Sequence, residues 1–104
     1  MKFSVVIIGL GNIGMLYDIN LPKKKKILTH CNAFTQHPDF ELIGSVEKNS
    51  ELRSLFEAEY QLPSSADLES LISENNFSPD VFVIATPTES HLSVINQIIV
   101  ASNP

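Results

Sequence analysis

Gly9, Gly11 and Gly14 stand in the run Gly9-Leu10-Gly11-Asn12-Ile13-Gly14, a G-x-G-x-x-G. That spacing suits recognition of a phosphate by the main chain. The first glycine permits a tight turn, the second lets the backbone approach a pyrophosphate, and the third lets a helix pack close. A helix opening near Asn12 would add free N–H groups and about half a positive charge at the same point. Two further groups have chemical potential. Glu47 offers a carboxylate able to accept from ribose hydroxyls, with Lys48 beside it. Thr86-Pro87-Thr88-Glu89-Ser90-His91 brings hydroxyls and an imidazole together, and a histidine is a general acid by residue type near neutral pH. His30, Cys31 and His37 match no standard zinc spacing, so no metal is assigned.

These groups need a scaffold, and the hydropathy pattern supplies one. Phe3–Ile8 is an almost unbroken apolar, β-branched run, as expected of a strand buried on both faces of a parallel sheet. Phe40–Val46 reads as a second strand ending at Glu47, and Val81–Ala85 as another strand buried on both faces. Ser64-Ser65 is a brief polar edge strand. Helices are expected over His30–Gln36, capped by Thr29, over Ser50–Tyr60, over Asp67–Glu74, and after a Thr88 cap. Leu52, Leu55, Phe56 and Tyr60 form the expected inner stripe of the second helix, and Leu92, Ile95, Ile98 and Ile99 that of the last.

The order β-α-β-α-β-α-β-α predicts an α/β, doubly wound, mostly parallel Rossmann-like sheet with helices on both faces. Phe3–Ile8 and Val81–Ala85 should lie side by side at its switch point, where such folds bind ligands outside the carboxyl ends of the strands. Glu47 lies 33 residues beyond Gly14 (47 − 14), against about 20 in the usual pattern. An insertion over residues 20–29 accounts for the excess; its Lys23–Lys26 run reads as a solvated loop tip.

The chain of 104 residues reads as one domain. A formal charge of −5 supplies no basic field to collect nucleic acid. One cysteine permits no intrachain disulfide, and neither a leader nor a membrane-spanning run is evident, so a cytoplasmic location is expected.

The sequence resembles the N-terminal half of the Gfo/Idh/MocA family of NAD(P)-dependent oxidoreductases, which act mainly on sugars and related polyols. The resemblance rests on G-L-G-N-I-G, on the acidic residue ending the second strand, and on D-V-F-V-I-A-T-P-T-E-S-H. The long stretch over residues 17–34 is similar to one branch of that family. The resemblance implies that Gly9, Gly11, Asn12, Ile13 and Gly14 cradle a pyrophosphate and that Glu47 holds a ribose. It implies that Thr86 and Pro87 line the nicotinamide side, with Thr88 and His91 nearby. The family more often has Asp where Glu47 stands. A carboxylate there would repel a 2′-phosphate and so favours NAD over NADP, while Lys48 would offset that repulsion.

The family pattern continues into a fifth strand and an E-K-P motif whose lysine assists proton transfer, both expected beyond Pro104. Residues 1–104 are thus expected to be an incomplete cofactor-binding domain, with no catalytic residue of its own and a sugar-like substrate only in the longer protein. The edge left on Val81–Ala85 without that strand predicts self-association. A non-catalytic nucleotide-binding module is the alternative reading. A methyltransferase using S-adenosylmethionine is a third, disfavoured by the complete third glycine.

Overall fold

Along Phe3–Ile8 successive side chains point to opposite sides. Val5 and Ile7 therefore enter one apolar layer and Val6 and Ile8 another, and all four are buried. A strand of this kind needs cover on both faces, and the computed structural model shows where it comes from. It describes residues 2–12, 14–16, 19 and 29–102. Strands β1 (Phe3–Ile8), β2 (Phe40–Val46), β3 (Ser64–Ser65) and β4 (Val81–Ile84) form a parallel sheet in the order β3-β2-β1-β4. The helices are α1 (His30–Gln36), α2 (Ser50–Tyr60), α3 (Leu68–Asn75) and α4 (His91–Ser102).

Cys31 of α1 and Phe56 of α2 join Val5, Ile7 and Leu42 in the first layer. Leu68 and Leu71 of α3 and Val94 of α4 join Val6, Ile8 and Val46 in the second. Leu42 and Val46 are four residues apart on one strand yet serve opposite layers. A bulge explains this: Val5 pairs with Leu42 but Val6 pairs with Gly44, so Ile43 is an extra residue that reverses the alternation. Gly44 lies where the chain returns closely, since a Cβ there would stand 3.0 Å from the Pro63 carbonyl oxygen.

Caps set the helix ends. Thr29 accepts from the Asn32 amide, Asn49 from those of Glu51 and Leu52, and Asp67 from that of Ser70. Gln61 and Asn76 close α2 and α3 in the left-handed conformation, each with φ of 55°. Asp67 is thus the cap of α3 rather than its first residue. At the other end of the sheet, Asp80 Oδ2 accepts from both the amide and the hydroxyl of Ser4, locking β4 to β1.

Five expectations are corrected. The inner face of α4 carries Val94, Ile98 and Ala101, whereas Leu92 is 72% and Ile99 58% exposed, and Ile95 also faces outward. Residues 88–90 form a separate 3-10 turn, so α4 starts at His91 instead of after a Thr88 cap. Leu55 is exposed on α2, where Leu52, Phe56 and Tyr60 make the packed stripe. β4 is half-buried along its length and ends at Ile84, because it pairs with β1 on one side only. Lastly, no α-helix directly follows the glycines among the described residues: the Met15 and Leu16 amides both donate to the Gly11 carbonyl, at 2.9 and 3.0 Å. Two amides spent on one acceptor close a turn and do not propagate a ladder. Residues 20–28 of the insertion, with its lysine run, lie outside the described residues.

Candidate functional site

Parallel strands deliver their carboxyl ends to one rim, and the order of this sheet puts β1 and β4 side by side there. Gly9 continues β1 at that rim. Its amide donates to the Val46 carbonyl (2.9 Å), while the Ala85 amide donates to the Ile8 carbonyl (2.7 Å). Gly9 has φ of +103°, and a Cβ on it would stand 2.9 Å from the carbonyl carbon and oxygen of Ala85. Only glycine meets both demands. The loop then folds back on itself. Gly14 rests directly on the Gly9 carbonyl, which a Cβ at residue 14 would strike, and its own carbonyl accepts from the Cys31 amide at 2.9 Å. The third glycine therefore closes the loop as well as admitting the start of α1.

Gly11 is different in kind. A Cβ placed on it meets no atom of the described residues within 4 Å, and its φ is not in the left-handed region. Neither packing nor backbone strain requires a glycine at this position. What the missing side chain leaves is open space on the wall of a crevice of about 540 Å³. Ile8, Gly9, Val46, Glu47, Lys48, Ala85, Thr86 and Pro87 also line it, so it sits across the carboxyl ends of β1, β2 and β4. Its size falls within the range of about 300–1,000 Å³ typical of small-molecule sites.

Glu47 leaves the end of β2 with its amide donating to the Ser65 carbonyl, one step beyond the β2–β3 pairs. Its carboxylate is oriented by the main chain. Oε1 accepts from the Leu10 amide at 2.8 Å and Oε2 from the Asn49 amide at 3.0 Å. One carboxylate thus joins the glycine loop to the cap of α2. Each oxygen has a second lone-pair direction open to a further donor.

On the β4 side, His91 Nε2 donates to the Thr86 carbonyl at 2.9 Å, pinning the loop to the first residue of α4. His91 itself is not on the crevice wall. The Thr86 hydroxyl is buried and has no hydrogen-bond partner among the described residues. A buried hydroxyl left in that state is costly unless something accepts from it or donates to it.

Of the residues singled out from the sequence, Gly9, Gly11, Glu47, Lys48, Thr86 and Pro87 are brought together on one crevice. Asn12 is exposed at the turn, and Gly14 is buried behind it. Thr88 opens the 3-10 turn. Ile13 lies outside the described residues. Glu89, within the segment expected to face the ligand, also reaches this wall, and sequence reasoning missed Ser93 and Gln97, which reach it four residues apart. It also missed Arg53, whose Nη1 donates to the Glu47 and Lys48 carbonyls at 2.7 and 2.9 Å. The helical repeat was the only signal for Ser93 and Gln97. For Arg53 the only signal was a cation one turn into α2. Among the described residues, no group of three His, Cys, Asp or Glu side chains is placed to hold a metal, and no helix is long and apolar enough to cross a membrane.

Residues 3–103 match the Gfo/Idh/MocA model, described as an oxidoreductase family with an NAD-binding Rossmann fold. No curated protein matches the chain. Among solved structures, a provisionally assigned dehydrogenase of Bordetella bronchiseptica RB50 superposes with a TM-score of 0.76 at 24% identity. The match covers 98% of this chain and 23% of that one. A myo-inositol dehydrogenase of Corynebacterium glutamicum ATCC 13032 has a TM-score of 0.64 at 21% identity, covering 100% and 27%. Scyllo-inositol dehydrogenase of Lactobacillus casei, solved with bound NAD(H) and scyllo-inositol, gives 0.65 at 16%, covering 99% and 26%. At such identities the likeness establishes the fold alone. The chain spans about a quarter of the length of these structures.

Proposed function

The chain belongs to the Gfo/Idh/MocA oxidoreductase family, an NAD-binding Rossmann fold, and on that premise we propose that its crevice binds NAD or NADP, NAD by preference. We further propose that it serves an enzyme moving hydride to or from a sugar or polyol-type substrate. The observation that carries the first proposal is the convergence of Gly11, Glu47 and Thr86 on one crevice. The residues fit the cofactor in two respects. Gly11 leaves room where a pyrophosphate would pass, and the orphaned Thr86 hydroxyl needs the partner that a nicotinamide carboxamide offers.

When bound, a nicotinamide cofactor supplies the hydride transfer, and the protein supplies binding and orientation. In this reading the main chain at Gly11 faces the pyrophosphate, and the free lone pairs of Glu47 accept from the adenosine ribose. Thr86 Oγ1 orients the nicotinamide end, with its main chain held by His91. We infer that the chain on its own binds cofactor without turnover. The polyol assignment draws on the inositol dehydrogenases among the structural neighbours. Titration with NADH and NADPH, followed by cofactor fluorescence, tests this reading. Saturable binding with NADH the tighter ligand is expected. A folded chain that binds neither would refute it.

The Thr86 hydroxyl gives a second expectation. Thr86→Val removes a buried hydroxyl that has no partner among the described residues, so the thermal midpoint should hold or rise. NADH affinity should nonetheless fall, by about fivefold, if the hydroxyl serves the cofactor. Unchanged affinity would remove Thr86 from the site.

A further inference from the structure

We propose that Arg53 is a positioning residue that fixes Glu47 at the ribose corner of the crevice and thereby sets the preference for NAD over NADP; this rests on the dinucleotide reading above. Glu47 is held at every polar atom. Its amide donates to the Ser65 carbonyl, and its two carboxylate oxygens accept from the Leu10 and Asn49 amides. Its carbonyl accepts from Arg53 Nη1, which also serves the Lys48 carbonyl. The two hydrogens of one guanidinium nitrogen thus bridge consecutive carbonyls just past the end of β2.

The guanidinium is well anchored for this work. Arg53 lies on α2 three residues before Phe56, which is fully buried in the core, and α2 starts on the Asn49 cap. The bonds of a guanidinium to neutral carbonyls are charge-assisted. With both carbonyls held, the peptide between Glu47 and Lys48 cannot rotate. The carboxylate of the first and the stem of the second then keep fixed starting directions.

A fixed carboxylate separates the two cofactors in both ways. It is ready to accept from ribose hydroxyls, and it stands as a negative charge where a 2′-phosphate would lie. A carboxylate free to swing loses the first property and relaxes the second. The remoteness of Arg53 from the crevice wall matters here, since the wall includes Glu47 and Lys48 but not Arg53. Its influence on the ligand is exerted through them.

The test uses Arg53→Met, similar in length without donors, and Arg53→Lys, which keeps a donor charge. Arg53→Met is expected to weaken NADH binding by about tenfold and NADPH binding by much less, so that the affinity ratio collapses. Arg53→Lys should restore much of the ratio. A merely structural loss would weaken both cofactors together and leave the ratio intact, and that result would overturn the proposal. Amide exchange measured without cofactor gives an independent reading. Exchange at Leu10, whose amide is bonded to Glu47, should accelerate by about tenfold in Arg53→Met while Val5 and Val6 in β1 keep their protection. Unchanged Leu10 exchange would overturn the positioning role. If the unaltered chain binds neither cofactor, the dinucleotide reading falls and with it the specificity claim, whereas Leu10 exchange still decides whether Arg53 positions Glu47.

Discussion

Gly11→Val is expected to abolish dinucleotide binding, by about 100-fold or more, and to leave the fold standing. The two halves of that expectation have separate causes. Stability is spared because a Cβ at Gly11 meets no atom of the described residues within 4 Å and the residue does not use the left-handed region. Valine is tolerated on such a backbone and restricts the unfolded chain, so the change in stability should stay within about 1 kcal/mol. Binding is lost because the branched side chain occupies the crevice wall where the pyrophosphate approaches the loop. A cofactor titration beside a denaturant melt checks both halves. A variant that stays folded and binds as well as the unaltered chain would show that the ligand does not pass over Gly11.

Gly14→Ala should do the opposite, unfolding the loop and costing about 3 kcal/mol of stability. The added methyl would land on the Gly9 carbonyl oxygen, with the Gly9 carbon at 3.2 Å and Leu10 Cα at 3.3 Å. All three obstacles are backbone atoms, so no side-chain rotation relieves the overlap. Gly9 cannot retreat either, because Ala85 stands 2.9 Å from its own Cβ direction on the far side. Moving Gly14 would also strain the bond from the Cys31 amide that begins α1. Urea melts of the two variants should therefore separate two glycines of a single motif: residue 14 as a packing requirement and residue 11 as a ligand requirement. Equal melting of Gly14→Ala and the unaltered chain would contradict the packing role.

What the sequence made legible follows from where side-chain chemistry is strict. The unbroken apolar run of β1, the glycine that must take a positive φ, and the acidic end of β2 each have few physical alternatives. Together they placed the crevice at the junction of β1 and β4. The face of α4 was not legible, because Leu92, Val94, Ile95, Ile98, Ile99 and Val100 are apolar almost all round the helix. Periodicity cannot choose between two apolar faces. The choice depended on where the helix begins, and the 3-10 turn moved that start to His91.

Leu55 was misplaced for a similar reason, since it adjoins Phe56 and only packing against β1 and β2 decides which residue turns inward. The turn after the glycines replaced an expected helix because two amides share the Gly11 carbonyl. Hydrogen bonds of that kind leave no trace in composition. The same is true of the Glu47 network. Its acidic end was visible as a ribose contact, but its bonds to Leu10 and Asn49, and the Arg53 clamp behind it, join segments that only the fold brings together.

A second and larger groove, of about 810 Å³, lies between α3 and α4 and shares Ser93 and Gln97 with the crevice. It is walled by Leu68, Leu92 and Val100 and lies away from the glycine loop. The most direct test is to titrate the isotope-labelled chain with NAD and map amide shifts by NMR. Saturable shifts are expected at Leu10, Gly11, Glu47 and Thr86, with α3 and the outer face of α4 little changed. Shifts confined to Leu68, Leu92 and Val100, or none at all in a folded chain, would contradict binding at the crevice.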